Sequence, residues 1–176
     1  MPMLKAGTWR SEDGFTLIEL STVIIIVGII SFFAIPRFTN LLWHGDLKAT
    51  TRRISSAIGY TYNQAAMTRL RHRLNYDLDA RRYWVTVRDT DGEFIEDSSL
   101  LTQNTTLPDK VRFKDVVTPR EGEVIHGTAY TAFVPNGLVE STVIHLENED
   151  QKVFTLVIKP LTGRVKVYDR YVKITR

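Results

Sequence analysis

An unbroken apolar run near the N-terminus constrains this chain more than any other feature. From Phe15 to Ile35 it reads FTLIELSTVIIIVGIISFFAI, and Glu19 is the one charged residue among those 21. As a helix the run would be about 31 Å long at about 1.5 Å per residue, which matches a hydrocarbon core of about 30 Å. A buried helix of a soluble protein is seldom apolar on every face for this length. The run therefore predicts a membrane helix.

The composition of the rest of the chain is that of a globular protein. Of 176 residues, 43% are hydrophobic and 24% are charged, and there is no cysteine. The absence of cysteine excludes disulfides, cysteine-ligated zinc, iron–sulfur clusters and a thiol nucleophile. The 23 basic side chains nearly balance the 20 acidic ones. The net charge of +3 therefore does not by itself indicate nucleic-acid binding.

Three interpretations of the apolar run differ in what happens at its ends. A secretory signal peptide would end at a small-x-small cleavage site, which the sequence FFAIP at 32–36 matches poorly. A plain signal anchor would carry an unrelated periplasmic domain, and leaves Gly14 and Glu19 unexplained. The third interpretation starts from these two residues. A carboxylate at the centre of a membrane costs about 2.5–3.5 kcal/mol on insertion scales. Glu19 therefore either reaches the headgroups or pairs with a positive group, such as the free N-terminal amine of a neighbouring subunit.

The heptapeptide GFTLIEL at 14–20 resembles the class III signal of type IV prepilins and type II secretion pseudopilins. This resemblance implies cleavage after Gly14 by a prepilin peptidase and N-methylation of the new N-terminus at Phe15. It also implies that Glu19 pairs with a neighbour's N-terminus during filament assembly. Pro36 matches a kinking proline of pilins, and the loss of one helical N–H predicts a kink or local unwinding there. Termination of the helix at the membrane edge is the alternative.

After Pro36 the pattern predicts first a helix and then strands. Apolar residues at spacings of three, four or seven predict an amphipathic helix from about Asp46 to Arg71. Its apolar stripe is expected to pack on a sheet, with a partner-binding face as the alternative. From Leu74 the period changes to two, with turn residues between the runs. The predicted strands are Leu74–Leu78, Tyr83–Arg88, Val111–Val117, Glu123–His126, Ala129–Val134, Thr142–Leu146, Val153–Lys159 and Arg164–Lys173.

These predictions describe an α+β fold in which one long N-terminal helix packs on an antiparallel β-sheet region. The transmembrane half of that helix precedes its amphipathic half. The predicted divisions are a cleaved leader at 1–14, a transmembrane and filament-core helix at 15–36, an amphipathic helix at 37–72 and a β-rich domain at 73–176. Residues 37–176 are expected to form one globular domain. This layout also resembles the pilin fold.

Five further segments resemble one branch of that family, which contains the minor pseudopilin H (GspH) and FimT-like minor pilins. They are the helix end from Ser56 to Arg69, RLNYD at 73–77, RYWV at 82–85, FVPNG at 133–137 and TGRV at 162–165. The resemblance implies a structural subunit at or near the tip of a type II secretion pseudopilus, held in the bacterial inner membrane with its C-terminal domain in the periplasm. The implied partners are other pseudopilins, the prepilin peptidase and the inner-membrane assembly platform. A FimT-like minor pilin that primes type IV pilus assembly is the alternative, and an unassembled, membrane-anchored periplasmic binding module is a second.

The sequence contains no recognisable catalytic or metal-binding motif. The four histidines lack metal-ligand spacing, and there is no GxSxG, P-loop or GxGxxG sequence. The acidic stretch at 89–97 supplies some oxygens of a calcium loop but departs from the EF-hand pattern, which favours a solvated turn. We therefore predict a protein that is not an enzyme and has no cofactor and no metal.

Basic side chains cluster at the C-terminus, where they are candidates for contacts with a polyanion or a protein partner. DNA binding is one interpretation, because phosphate contacts need Lys and Arg clustered on one surface. Acidic neighbouring subunits and simple solubility are the alternatives, and we favour them over DNA. The residues are Arg164, Lys166, Arg170, Lys173 and Arg176.

Overall fold

The computed structural model describes residues 15–97 and 104–173, and within them the side chains of 32–44 are left undescribed. The chain forms two compact units, Met1–Leu41 and Leu42–Arg176. We call the second the globular unit.

The described residues contain one helix and ten strands. The helix α1 spans Leu17–Thr68. The strands are β1 (His72–Asp77), β2 (Arg82–Arg88), β3 (Phe94–Glu96), β4 (Thr105–Thr106), β5 (Val111–Thr118), β6 (Gly122–Val124), β7 (Thr128–Phe133), β8 (Val143–Asn148), β9 (Val153–Ile158) and β10 (Val165–Tyr168).

Both ends of α1 have a local cause. At the start, the Glu19 amide donates a hydrogen bond to the Thr16 hydroxyl oxygen at 3.3 Å, so Thr16 caps the first turn. At the end, Arg69 takes a left-handed conformation with φ of 58°, which stops the helical hydrogen bonds. Within residues 15–97 and 104–173, no helix is long and apolar enough to cross a membrane.

The strands form two antiparallel sheets rather than one. Sheet A has the order β3-β2-β1-β7, and β4 also pairs with β2. Sheet B has the order β10-β9-β8-β5-β6. The two sheets are interleaved along the chain, since β1 pairs with β7 and β5 pairs with β8.

The core of the globular unit lies between α1 and the two sheets. The predicted apolar stripe of α1 is confirmed, because Leu47, Ile54, Ile58 and Ala65 are buried in the same cluster as the strand residues. Tyr76 of sheet A links the sheets, since its ring meets that of Phe113 in sheet B edge to face, with the centroids 5.8 Å apart. The remaining core comes mainly from alternate strand positions: Leu74, Val85, Val111, Val116, Ala129, Phe133, Ile144, Leu146, Leu156 and Ile158.

The α+β class with antiparallel sheets is confirmed, while several finer expectations were wrong. The predicted single sheet is divided in two, and β3 and β4 were not predicted. The expected last strand, Arg164–Lys173, ends at Tyr168. Beyond it the backbone of Arg170 and Val172 bonds to the side chain of Thr155 instead of to a strand edge.

A β-bulge in β5 gathers charge around one buried carboxylate. The register between β5 and β8 shifts between Phe113 and Asp115, which leaves Lys114 as the extra residue. Lys114 Nζ and Arg112 Nη2 both donate to the carboxylate of Glu147 at 2.7 Å. The Glu147 side chain is only 6% exposed. Burial raises the pKa of Glu147, but the hydrogen bonds and charges of Lys114 and Arg112 outweigh burial, and the net pKa lies below its usual value.

Replacing Glu147 with glutamine is expected to lower the free energy of unfolding by about 2 kcal/mol at pH 7, because a buried charge-assisted pair is lost. A lowered folded-state pKa stabilises the fold fully above about pH 4.5, the ordinary value, and that contribution is lost as the pH falls below it. Urea unfolding between pH 7 and pH 3 should therefore show a shallower acid loss in Glu147→Gln than in the wild type. Parallel pH profiles for the two proteins would contradict this assignment.

Candidate functional site

The first described residues present an apolar surface with one carboxylate. Phe15 is 88% exposed, and the large apolar residues that follow it up to Ile30 are all exposed. Glu19 lies in the first turn of α1 and is also exposed. This region is thus an apolar helix without a partner among the described residues, and a single negative charge lies beside its N-terminus.

Thr16 adds a local role for this turn that sequence reasoning missed. A Thr followed three residues later by Glu is the capping-box pattern, and the amide of Glu19 does bond to Thr16. A carboxylate in the first turn also interacts favourably with the helix dipole. Glu19 therefore stabilises the start of α1 whatever else it binds, and any test of an assembly role must separate the two effects.

The other residues of the predicted processing and assembly site are only partly described. Gly14 and Arg176 lie outside the described residues. Pro36 falls inside the span of α1, which continues past it to Thr68. The alternative that the helix ends at Pro36 was therefore wrong. Cleavage after Gly14, methylation of Phe15 and a kink at Pro36 stay predictions.

The four described basic residues of the C-terminal segment are exposed but do not form one strand face. Arg164 precedes β10, and Lys166 lies within it with its Nζ 4.8 Å from the centroid of the Tyr168 ring. Arg170 and Lys173 follow after β10 has ended. Arg164 and Lys166 lie at the start of β10, whereas Arg170 and Lys173 lie beyond its end. The four basic residues are therefore not aligned along β10.

Residues Arg170–Val172, which we call the C-terminal strap, cross sheet B. Asp115, His145 and Thr155 are directly paired on β5, β8 and β9, so their side chains share one face of the sheet. The Thr155 hydroxyl donates to the Arg170 carbonyl at 2.6 Å and accepts from the Val172 amide at 3.1 Å. With the strap on one face and the core on the other, every residue of β8 is buried. The strap therefore covers a sheet face that would otherwise meet solvent.

His145 links the strap to β5, with one ring nitrogen on each. Nδ1 bonds to a carboxylate oxygen of Asp115, and Nε2 lies 3.1 Å from the Val172 carbonyl oxygen. The Tyr171 ring stacks on the imidazole with centroids 4.0 Å apart. A carbonyl only accepts, so Nε2 carries a proton, and one further proton joins Nδ1 to Asp115. Sequence reasoning found no metal-ligand spacing around the four histidines, and it had no signal for the pairing of His145 with Asp115.

The arginines of the first hairpin separate into two groups. Arg81 and Arg82 pair with Asp109 and Asp77 at the far end of the hairpin. Arg71 and Arg73 instead line a cavity beside β7. Of these four arginines, Arg81 and Arg82 are therefore paired with carboxylates, while Arg71 and Arg73 give the cavity a positive border.

The acidic stretch forms a turn held by its own side chains. The Asp89 carboxylate accepts from the Thr90 hydroxyl at 2.7 Å and from the Asp91 amide at 3.2 Å. These hydrogen bonds lower the pKa of Asp89. Among residues 15–97 and 104–173, no three His, Asp or Glu side chains come together in an arrangement that could hold a metal ion.

Two solved structures from Vibrio cholerae share this arrangement of helix and sheets. A crystal structure of the minor pseudopilin EpsH of the type II secretion system matches with a TM-score of 0.61 and 11% identity, over 74% of this chain and 98% of that one. A second EpsH structure matches with a TM-score of 0.57 and 14% identity, over 70% of this chain and 97% of that one. The chain has the fold of a minor pseudopilin.

The predicted resemblance is therefore confirmed for the fold. No protein-family model matches the chain, and no curated protein sequence matches it significantly. At 11–14% identity, the likeness extends to architecture and not to individual site residues.

Proposed function

We propose that this chain is a minor pseudopilin, a structural subunit of a type II secretion pseudopilus that acts at or near its tip. The observation that carries the proposal is the combination of the minor pseudopilin fold with an exposed apolar helix start that contains Glu19. Fold alone does not specify function. The heptapeptide at 14–20 adds the processing and assembly signal that such a subunit needs.

In this proposal each part of the chain has a task. A prepilin peptidase cleaves after Gly14, and the new N-terminus at Phe15 is methylated. The apolar residues that follow hold the subunit in the bacterial inner membrane and then in the filament core, with the globular unit in the periplasm. Glu19 neutralises the N-terminal amine of an adjacent subunit, because a carboxylate and an ammonium group in an apolar core stabilise each other only as a pair. The assembly platform and other pseudopilins are the partners.

Replacing Glu19 with alanine is expected to reduce incorporation into filaments by at least about tenfold, because an unpaired ammonium group would remain in an apolar core. Membrane insertion and cleavage should continue, since the apolar run and Gly14 are unchanged. The measurement is the amount of the full-length protein in sheared filaments and in membranes of the host bacterium, with mass spectrometry of the mature N-terminus.

The control is Thr16→Ala, which removes the helix cap and keeps the carboxylate. A loss of incorporation in Glu19→Ala but not in Thr16→Ala supports the pairing role. Normal incorporation of Glu19→Ala would contradict it, and a protein that is never cleaved near Gly14 would overturn the prepilin interpretation. Loss of exoprotein export in a strain that lacks the protein supports the secretion pseudopilus, whereas loss of surface pili with normal export supports the FimT-like alternative.

A further inference from the structure

A cavity of about 420 Å³ opens in the globular unit beside strands β1 and β7. Three arginines border it, and we call it the arginine cleft. Its volume is within the range of small-ligand and peptide pockets, about 300–1,000 Å³. The residues around it are Arg71, His72, Arg73, Phe94, Arg120, Tyr130, Ala132, Phe133, Val134, Leu138, Val139 and Glu140.

Arg73 lies between two aromatic rings in this cleft. Its guanidinium carbon is 3.5 Å from the centroid of the Phe94 ring and 4.3 Å from that of Tyr130. Within the described residues, no carboxylate forms an ion pair with it. Aromatic faces hold the plane of a guanidinium and leave its N–H edge free to donate. Arg73 is thus fixed in position, and none of the described residues accepts a hydrogen bond from its guanidinium.

Arg120, unlike Arg73, forms an ion pair with a carboxylate. Its Nε and Nη2 donate to the two carboxylate oxygens of Glu140 at 2.8 and 2.9 Å, while its guanidinium packs over Tyr130. Glu140 therefore cancels one of the three arginines. Arg71 and Arg73 have no such partner in the part of the chain that the structure describes, which leaves two uncompensated positive charges at the border of the cleft.

The lowered pKa of Arg73 agrees with an excess of positive charge around the cleft. Burial lowers the pKa of Arg73, and the positive charges of Arg120 and Arg88 lower it further, with Glu140 acting in the opposite direction. The surroundings of Arg73 are therefore short of negative charge. An added carboxylate would be stabilised here by two charges in a partly desolvated site.

Apolar side chains form most of the rest of the cleft, which also includes His72. Phe133 and Val139 are buried beneath it, and Leu138 is exposed beside them. An apolar surface next to a pair of cationic donors fits a group that has both characters. A linear phosphodiester strand needs an open basic track instead, and Glu140 on the border would repel it.

We propose that the arginine cleft binds a polypeptide segment of another protein that carries a carboxylate next to an apolar side chain. The carboxylate takes the free N–H edge of Arg73 with support from Arg71, and the apolar side chain packs on Leu138 and Val139. The carboxylate is that of an Asp or Glu side chain, and the apolar side chain belongs to a neighbouring residue of the same segment. This inference depends on the cleft alone and holds whether or not the protein enters a filament.

The test uses the full-length protein in an uncharged detergent and short synthetic peptides. The probe is the tetrapeptide acetyl-Leu-Phe-Glu-Leu-amide, with acetyl-Leu-Phe-Gln-Leu-amide as the uncharged control. A third peptide, acetyl-Leu-Phe-Gln-Leu with a free C-terminus, separates a terminal carboxylate from a side-chain one. Binding is followed through the arginine Nε–H resonances in ¹⁵N NMR spectra. We expect the Glu peptide to bind at least about tenfold more tightly than the uncharged control, and more tightly than the peptide with a free C-terminus.

Arginine variants locate the site. Arg73→Gln should weaken binding of the charged peptide by about tenfold, and Arg73→Lys by less, because it keeps the charge but loses the planar fork. Arg71→Gln provides a second variant should Arg73→Gln fail to fold. Arg164→Gln, which replaces an exposed arginine that does not line the cleft, should change nothing.

Three results would overturn the proposal. The first is equal binding of charged and uncharged peptides, and the second is equal binding by Arg73→Gln, Arg71→Gln and Arg164→Gln. The third is displacement of the peptide by a 20-nucleotide single strand whose own binding requires Arg73, since this would assign the cleft to nucleic acid.

Discussion

Replacing Gly163 with alanine is expected to lower the free energy of unfolding of the globular unit by about 3 kcal/mol and its thermal midpoint by about 10 °C. Two costs add at this position. Gly163 has φ of +60°, where a side chain strains the backbone. A Cβ there would also lie 2.6 Å from Cδ2 and 2.7 Å from Cγ of Tyr62, which is closer than carbon atoms approach.

The packing of Tyr62 explains why the second cost is hard to avoid. Its ring lies on the turn before β10, and its hydroxyl lies close to a second turn, where a Cβ on Gly137 would be 3.3 Å away. Tyr62 also packs against the core cluster. The ring is therefore held on more than one side and has little room to move away from a new methyl group.

Gly122→Ala is the matched control for the Gly163 prediction. Gly122 has φ of +73°, but a Cβ there would meet nothing within 4 Å. Its replacement carries the backbone strain alone, about 1 kcal/mol. Thermal and urea unfolding of both variants measures the difference. Equal losses in Gly122→Ala and Gly163→Ala would show that the contact with Tyr62 contributes nothing.

A double variant tests the same contact from the other side. With Tyr62→Ala in place, the added cost of Gly163→Ala should fall to about that of Gly122→Ala, because the clash has been removed. Additive losses in the double variant would contradict the assignment.

The sequence predicts the parts of this fold that depend on local periodicity. The spacing of Leu47, Ile54 and Ile58 identifies the buried face of α1, because a helix brings residues seven and four apart onto one side. Most of the strands follow in the same way from period-two runs bounded by turn residues, as in β1 and β2. These features are encoded within ten or so neighbouring residues.

Features that depend on distant partners were not predictable. The split into two sheets depends on the pairing of β1 with β7 and of β5 with β8. No local sequence pattern predicts which strands pair. The bulge at Lys114 likewise becomes visible only against β8. Tyr171 and Val172 are residue types that favour strands, so the composition of the strap resembles that of the predicted strand Arg164–Lys173. In the candidate site, the motif identifies Glu19 from its neighbours, but the arginine cleft is assembled from segments far apart in the sequence.

Replacing His145 with leucine is expected to lower the free energy of unfolding by about 3–5 kcal/mol, because it leaves the carboxylate of Asp115 buried without its partner. The side chains of His145 and Asp115 are 1% and 3% exposed. The substitution also removes the hydrogen bond to the Val172 carbonyl and the stacking partner of Tyr171. The strap should therefore detach from sheet B as the fold weakens.

His126→Leu is the matched control, since His126 also pairs with an aspartate, Asp79, at 3.1 Å. That pair is exposed, with the His126 side chain 81% accessible, and its loss should cost no more than about 0.5 kcal/mol. Urea unfolding of the full-length protein in detergent compares the two variants. Trypsin cleavage after Arg170, measured under native conditions, reports separately on whether the strap has come away.

The cost of His145→Leu should come from the stranded charge rather than from the lost contacts alone. If so, adding Asp115→Val to His145→Leu restores part of the stability, because the double variant buries no unpaired carboxylate. Cleavage after Arg170 should stay fast in that double variant, since the imidazole that bonds to the Val172 carbonyl is still absent. Recovery of stability without recovery of the strap would thus separate the two roles of the pair. A double variant as unstable as the single one would show that the buried charge is not what the histidine compensates.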